Sequence, residues 1–392
     1  MAGGRAITIA TALTLSLAGC ATSGWHASER YDRWTLYTHT GEQVDPAAYR
    51  AAFDPAFRVV EDALGPFTKH VAVYASASAP SERSTGDEHG TGDERIREIG
   101  DDSAHEIPGI GPARIRAFHS RDSGLFSTPS GIFVSAPEAG TAAHELVHAR
   151  FAEEELDLPL WLEEGVACLV GDGILYDGRW VVDGLACWPL YELGQQHVTD
   201  DELARLVRLH ARDDVDARTN VMVHFTGWAI VFDLFRESGK LDVAAWRARY
   251  AHGIDASEAR ARLDRTLAPD TALEWLKRLD DPRPEVRLAA AKGVWKLRSV
   301  PVVSRLLEAL RNEQDPTVQV GFAINALAAA GEMRLPPSLN RRMWSLAGPA
   351  IRRAKLDDPA EQAATVQLSR SFWIGGQSAQ PPLQALRRFW AE

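Results

Sequence analysis

In the stretch Ala143-His144-Glu145-Leu146-Val147-His148-Ala149, two histidines stand four residues apart, with a glutamate directly after the first. On a helix, residues four apart share a face, so both imidazoles can reach one point. That is half of a tetrahedral zinc site, and Glu145 beside it is a candidate general base. The flanks favour a helix. Ala142, Ala143, Leu146, Val147 and Phe151 recur at helical spacing, and Gly140-Thr141 gives a start just upstream. The competing reading is an amphipathic helix with two surface histidines. A catalytic zinc takes three protein ligands and a water, so one more ligand is needed, and a carboxylate from the next helix can supply it.

The stretch Leu158-Pro159-Leu160-Trp161-Leu162-Glu163-Glu164-Gly165-Val166-Ala167 follows at once. H-E-x-x-H with a W-L-x-E-G-x-A shortly after it resembles the gluzincin metallopeptidases, in particular the bacterial peptidase MA-like domains. The resemblance implies an α+β fold with a zincin-like catalytic domain, a small mixed sheet plus active-site helices. It also implies one catalytic zinc held by His144, His148 and Glu164, since the family's ligand is the Glu directly before Gly. Glu163 falls where relatives often carry Asn and is the weaker ligand candidate. Further on, His224-Phe225-Thr226-Gly227-Trp228-Ala229 matches a helix that often reads Y-x-x-S-W-A in the family, whose Tyr stabilises the oxyanion near the metal. His224 takes that place here, and a histidine can donate the same hydrogen bond; the alternative is a packed helical histidine. Tyr191 and Tyr250 are the other candidate donors. Cys168, one turn beyond Glu164, has three readings: a buried inert thiol, a disulfide partner of Cys187, or a group that orients a ligand histidine.

The start of the chain reads as a processing signal. Arg5 precedes a short apolar run, Ile7 to Leu17, too brief to span a bilayer, which ends Leu17-Ala18-Gly19-Cys20. This resembles a bacterial lipobox with Cys20 as the acylated mature N-terminus; an ordinary secretory signal cut near Ala18 is the alternative. Ala21 at the next position implies, by the same resemblance, an outer-membrane address facing the periplasm. Residues 21–28 are then a tether, and the membrane is a partner through the lipid.

The elements that must position the site follow in order. Trp34–Thr38 and Val71–Tyr74 are strand-like, with a helix from Pro46 to Leu64 between them. Ser81 to Asp102 is a Gly-, Ser- and acid-rich surface loop without calcium-loop spacing. Ile107 to Ile115 resembles a DNA-binding hairpin, but acidic neighbours precede it, and it reads instead as a loop leading into a strand. Gly131–Ser135 is the next strand; placed before the active-site helix, it is expected at the sheet edge, where an extended substrate can add on. Arg179–Val182 belongs to a short hairpin arm, and Trp188 to Leu209 reads as helical.

From about residue 270 the pattern changes. Asp280-Asp281-Pro282, Asp315-Pro316 and Asp358-Pro359 each open a helix, with Asp as cap and Pro in the first turn. Partner helices run Val302–Leu310, Leu339–Leu346 and Pro382–Trp390. Three such pairs resemble HEAT-like repeats. They serve either as a surface for a protein partner or as a buttress behind the catalytic domain.

The expected organisation is therefore residues 1–20 signal, 21–28 tether, 29–270 metallopeptidase domain and 271–392 helical repeats. With 392 residues, 45% hydrophobic and 25% charged, the chain can build ordinary cores. A net charge of −11 argues against a nucleic-acid partner, which requires clustered cations. The expected activity is a membrane-anchored zinc peptidase acting on a peptide or protein substrate. The alternative is a catalytically inactive zincin-fold lipoprotein that serves as an envelope scaffold.

Overall fold

The computed structural model describes residues 25–75, 117–120, 131–134, 137–154, 158–182, 198–210, 215–294, 299–330 and 335–353. The strands are β1 (Trp25–Arg30), β2 (Trp34–His39), β3 (Val71–Ala75), β4 (Ala117–Ser120) and β5 (Gly131–Val134), followed by the hairpin β6 (Ile174–Tyr176) and β7 (Arg179–Val181). The helices of the first part are α1 (Pro46–Leu64), α2 (Ala139–Glu153), α3 (Leu160–Gly171), α4 (Asp200–Leu206), α5 (Ala217–Ser238) and α6 (Val243–Tyr250). Then come α7 (Ala256–Leu267), α8 (Pro269–Arg278), α9 (Pro284–Val294), α10 (Val300–Asn312), α11 (Pro316–Ala330) and α12 (Pro337–Arg353). The fold is mixed α+β.

The sheet runs β1-β2-β3-β5-β4, with β2, β3 and β5 parallel and the two edge strands antiparallel. Alternation along the strands sorts two faces. Trp34, Leu36, Val73 and Ile132 are buried, and Trp34 packs its ring on Phe53 of α1. On the opposite face Tyr37, Tyr74 and Phe133 stack across three strands, with centroids 5.0 and 4.6 Å apart. Trp25 sets its edge against Tyr74, so β1 takes in residues that the sequence reading gives to the tether. A second correction concerns the sheet edge. The strand before α2 is β5, and it lies inside, because β4 pairs outside it from Ala117↔Val134 to Ser120↔Gly131. The edge strand is β4.

Helix α2 buries Ala142, Ala143, Leu146, Val147 and Phe151, the expected set. Helix α3 has no exposed residue at all. A helix apolar on nearly every side belongs in an interior, and α3 lies between α2 and α5. Three glycines let it fit. A Cβ at Gly165 would press into the Gly227 carbonyl, and one at Gly227 into the Trp161 carbonyl. Where α3 meets α2, a Cβ at Gly171 would lie 2.8 Å from the Gly140 carbonyl oxygen and 3.0 Å from His144 Cβ. The α3–α5 crossing is thus backbone against backbone.

The hairpin β6–β7 turns through Asp177 and Gly178, both with positive φ, and carries Trp180 across to donate its indole N–H to the Val170 carbonyl at 2.8 Å. Beyond it, α8 with α9 and α10 with α11 form two stacked helical pairs, and α12 packs against α10 and α11; α10 is thus not the packing partner of α9 that the sequence pattern suggests. Asp315 caps α11 as expected, accepting from the Thr317 and Val318 amides at 2.9 and 3.0 Å. At the first pair the sequence expectation shifts by two residues. Asp281 instead accepts from the Arg283 amide at 2.9 Å, and the helix begins at Pro284, not Pro282. Arg287 grips Glu313 through two contacts of 2.6 and 2.7 Å, tying the pairs together. One continuous apolar core runs from the sheet to α12.

Cys20, Cys187, Tyr191, the segments 81–102 and 107–115 and the third helical pair lie outside the described residues. So does the start of the 188–209 stretch, of which α4 is the helical part described. Among the described residues no helix is long and apolar enough to cross a membrane.

The glycine crossing gives a direct expectation. Gly227→Ala forces α3 and α5 apart and should cost about 1–3 kcal/mol, as overpacking of a close interior does. Denaturant unfolding measures it; an unchanged midpoint would show that the helices have slack.

Candidate metal centre

His144 and His148 come from successive turns of α2, and their Nε2 atoms lie 3.2 Å apart. Glu164 enters from α3, its Oε2 3.3 Å from His148 Nε2 and 3.7 Å from His144 Nε2. Among the described residues, these three form the group whose ligand atoms all lie within 4.8 Å of one another. Zinc with bonds near 2.0–2.2 Å in a tetrahedron requires ligand atoms about 3.4 Å apart along each edge. The observed 3.2, 3.3 and 3.7 Å edges meet that requirement.

A second feature supports the fit. Oε2 of Glu164 is buried with no aligned hydrogen-bond donor, although three imidazole nitrogens approach it. A buried carboxylate oxygen calls for positive charge, which protons on the surrounding rings or a cation can supply. Burial would raise the Glu164 pKa, but the neighbouring His224 and His148 outweigh it and hold the carboxyl well below its ordinary range. Burial lowers the His148 pKa as well, yet the charges and hydrogen bonds of Glu164 and Glu163 push it well above 6.5. His144 is driven the other way, down to about 3, by burial and then by the charge on His148. It is therefore a neutral imidazole, the form that binds metal.

Glu163 is not part of the ligand set. It accepts a hydrogen bond from His148 Nδ1 at 2.8 Å and is itself buried. This fixes the tautomer that leaves Nε2 bare, the role a carboxylate plays behind a ligand histidine. Sequence reasoning weighed Glu163 only as a rival ligand. The available signal was that a ligand histidine needs an acceptor at its other nitrogen, and Glu163 is the neighbouring acid. His144 lacks such a partner. The Ala167 carbonyl bears on its ring without completing a normal hydrogen bond, and Nδ1 is buried and unsatisfied.

Glu145 is buried on α2 between the two histidine turns. His224 reaches the site from α5, with Nε2 3.0 Å from Glu164 Oε2 and its ring stacked on His144 at 5.7 Å. Its Nδ1–H donates to the Asn220 carbonyl at 2.8 Å, so only Nε2 faces the site. Burial lowers the His224 pKa, but the Glu164 charge overcomes this and raises it. Tyr250 is not at the centre. Its hydroxyl donates to Glu258 at 2.7 Å and accepts from Arg262 at 3.1 Å, and its ring lies against Trp161. Cys168 is a buried free thiol. Burial, followed by the charges of Glu164, Asp172 and Glu145, pushes its pKa well up, so it is an inert thiol and not a nucleophile.

The chain matches no protein-family model, no curated protein and no solved structure.

The electrostatics set the pH behaviour of metal uptake. In the metal-free protein His148 keeps a proton above the ordinary histidine range, and that proton must leave before Nε2 can bind a cation. Apparent zinc affinity should therefore fall as pH drops and keep climbing until pH passes the raised His148 value. Calorimetry in two buffers of different ionisation enthalpy should register proton release; identical heats would contradict it. Glu164→Ala should lose the metal. Glu163→Ala should retain the stoichiometry but weaken affinity by about 10–100-fold.

Proposed function

We propose that this protein is a zinc-dependent peptidase of the gluzincin kind, hydrolysing peptide bonds in a peptide or protein substrate. The observation that carries the reading is the convergence of His144, His148 and Glu164 at tetrahedral edge lengths, with Glu145 on the same helix turn as the first ligand. In this reading the sheet and α2–α5 make up a zincin-like catalytic domain, and α9–α12 belong to a HEAT-like array. Cys20 carries a lipid that ties the protein to the outer membrane of a bacterial envelope.

A zinc ion held by the three ligands supplies Lewis acidity and brings water within reach of deprotonation near neutral pH. The remaining steps belong to the chain. Glu145 takes a proton from the attacking water as its oxygen bonds to the scissile carbonyl carbon. It then delivers that proton to the amine as the C–N bond breaks. Glu163 keeps His148 in its ligating tautomer. His224 stabilises the negative charge that develops on the carbonyl oxygen. Because Nδ1–H is committed to the Asn220 carbonyl, that donation comes from Nε2–H of the doubly protonated ring. An extended substrate lies along β4, the edge strand that packs beside α2.

A second reading, an inactive zincin-fold lipoprotein acting as a scaffold through its helical pairs, draws on one departure: a histidine stands where relatives place the oxyanion tyrosine. Elemental analysis followed by a peptide-library assay with and without chelator separates the two. Glu145→Gln should abolish turnover with zinc still bound at one per chain. Retained turnover would remove Glu145 from the mechanism, and no chelator-sensitive cleavage by the wild type would favour the scaffold. His224→Ala should lower kcat by about 10²–10³-fold with zinc content unchanged.

A further inference from the structure

The end of α3 is capped from the helical pairs. Lys292, on α9, is buried, and its ammonium donates to the Asp172 carbonyl at 2.8 Å and the Gly173 carbonyl at 3.0 Å. It also lies 3.5 Å from Asp172 Oδ1. Residues 172 and 173 immediately follow the last turn of α3, whose carbonyls point out of the helix end and call for donors or positive charge. A buried lysine is costly unless its charge is met, and here its ammonium meets two carbonyls and a carboxylate at the C-terminal end of α3. That same turn leans on the metal centre. Gly171 packs so close to α2 that an added Cβ would come within 3.0 Å of His144 Cβ. His144 has no carboxylate behind its Nδ1, so its position relies on packing against α3 where His148 relies on Glu163.

We infer that Lys292 is a positioning residue for the metal centre: by capping α3 from the helical pairs, it holds the turn at Gly171 against His144 and so sets the span between His144 and Glu164. This rests on the metal-site reading above, and it assigns the helical part a role in metal affinity beyond that of a partner surface. The cap reaches His144 through backbone packing, with no contact between Lys292 and any ligand required.

The test uses the full chain with Lys292→Met, Lys292→Arg and the pair Lys292→Met/Asp172→Asn, in which no buried carboxylate is left unmatched. Zinc affinity is read by competition with a chromogenic chelator, and hydrogen exchange is followed over residues 140–148 and 166–173 of the metal-free protein. Lys292→Met and the paired variant should bind zinc about tenfold or more weakly, the scale for removing a group behind a ligand, and lose protection in both segments. Lys292→Arg should restore most of the affinity. A purely structural lysine would lower the unfolding midpoint and leave zinc affinity as in the wild type; that result in the folded paired variant overturns the proposal, and the paired variant decides if Lys292→Met does not fold. If wild type and Glu164→Ala bind zinc equally poorly, the metal reading fails by itself. Exchange then decides: loss of protection spreading from 166–173 to 140–148 supports the coupling, and unchanged exchange at 140–148 refutes it.

Discussion

A carboxylate taken out of water has to be met by positive charge, and the placement of Glu164 imposes that demand on three helices at once. In the metal-free protein the imidazoles of His148 and His224 meet it with protons, while His144 stays neutral beside them. In the proposed reading a divalent cation takes over that role, with Nε2 of His144 and of His148 as ligands. Several kcal/mol ride on that neutralisation for each buried ion.

The demand explains why α3 is built as it is. Its surface is apolar on nearly every side, which sends it to the interior, and it carries two adjacent acids there. Neighbours on a helix point about 100° apart, so Glu164 faces the ligand cluster while Glu163 reaches behind His148. The glycines at 165 and 171 then let α5 and α2 close in on two different sides. Acid pair and glycines are one device: the acids need partners from both flanking helices, and only missing side chains allow those helices near enough.

Much of this was legible in the sequence because it is local. The spacing of His144 and His148, the buried stripe of α2, the helix from Pro46 to Leu64 and the Asp315 cap all depend on residues a turn or two apart. The parts that were not legible depend on pairing across the chain. Nothing within Gly131–Val134 tells that Ala117–Ser120 will pair outside it, so the edge strand was misplaced. Tyr250 is an ordinary candidate donor until Glu258 and Arg262 are seen to occupy its hydroxyl. Glu163 appeared as a rival ligand because one residue of offset along a helix says nothing of which histidine nitrogen it meets. Lys292, some 120 residues beyond the helix it caps, left no local signature.

The arm β6–β7 imposes a different kind of limit. Its loop is two residues long, Asp177 and Gly178, both left-handed, the form that matches the twist of a tight hairpin. Pairing is fixed as Tyr176 with Arg179, Leu175 with Trp180 and Ile174 with Val181. Since strand side chains alternate, lengthening that loop by a single residue would slip the return strand by one place and turn the Trp180 indole to the opposite face. The loop can therefore tolerate changes of residue type that keep its handedness, but no change of length, even though Asp177 and Gly178 themselves touch nothing in the metal centre.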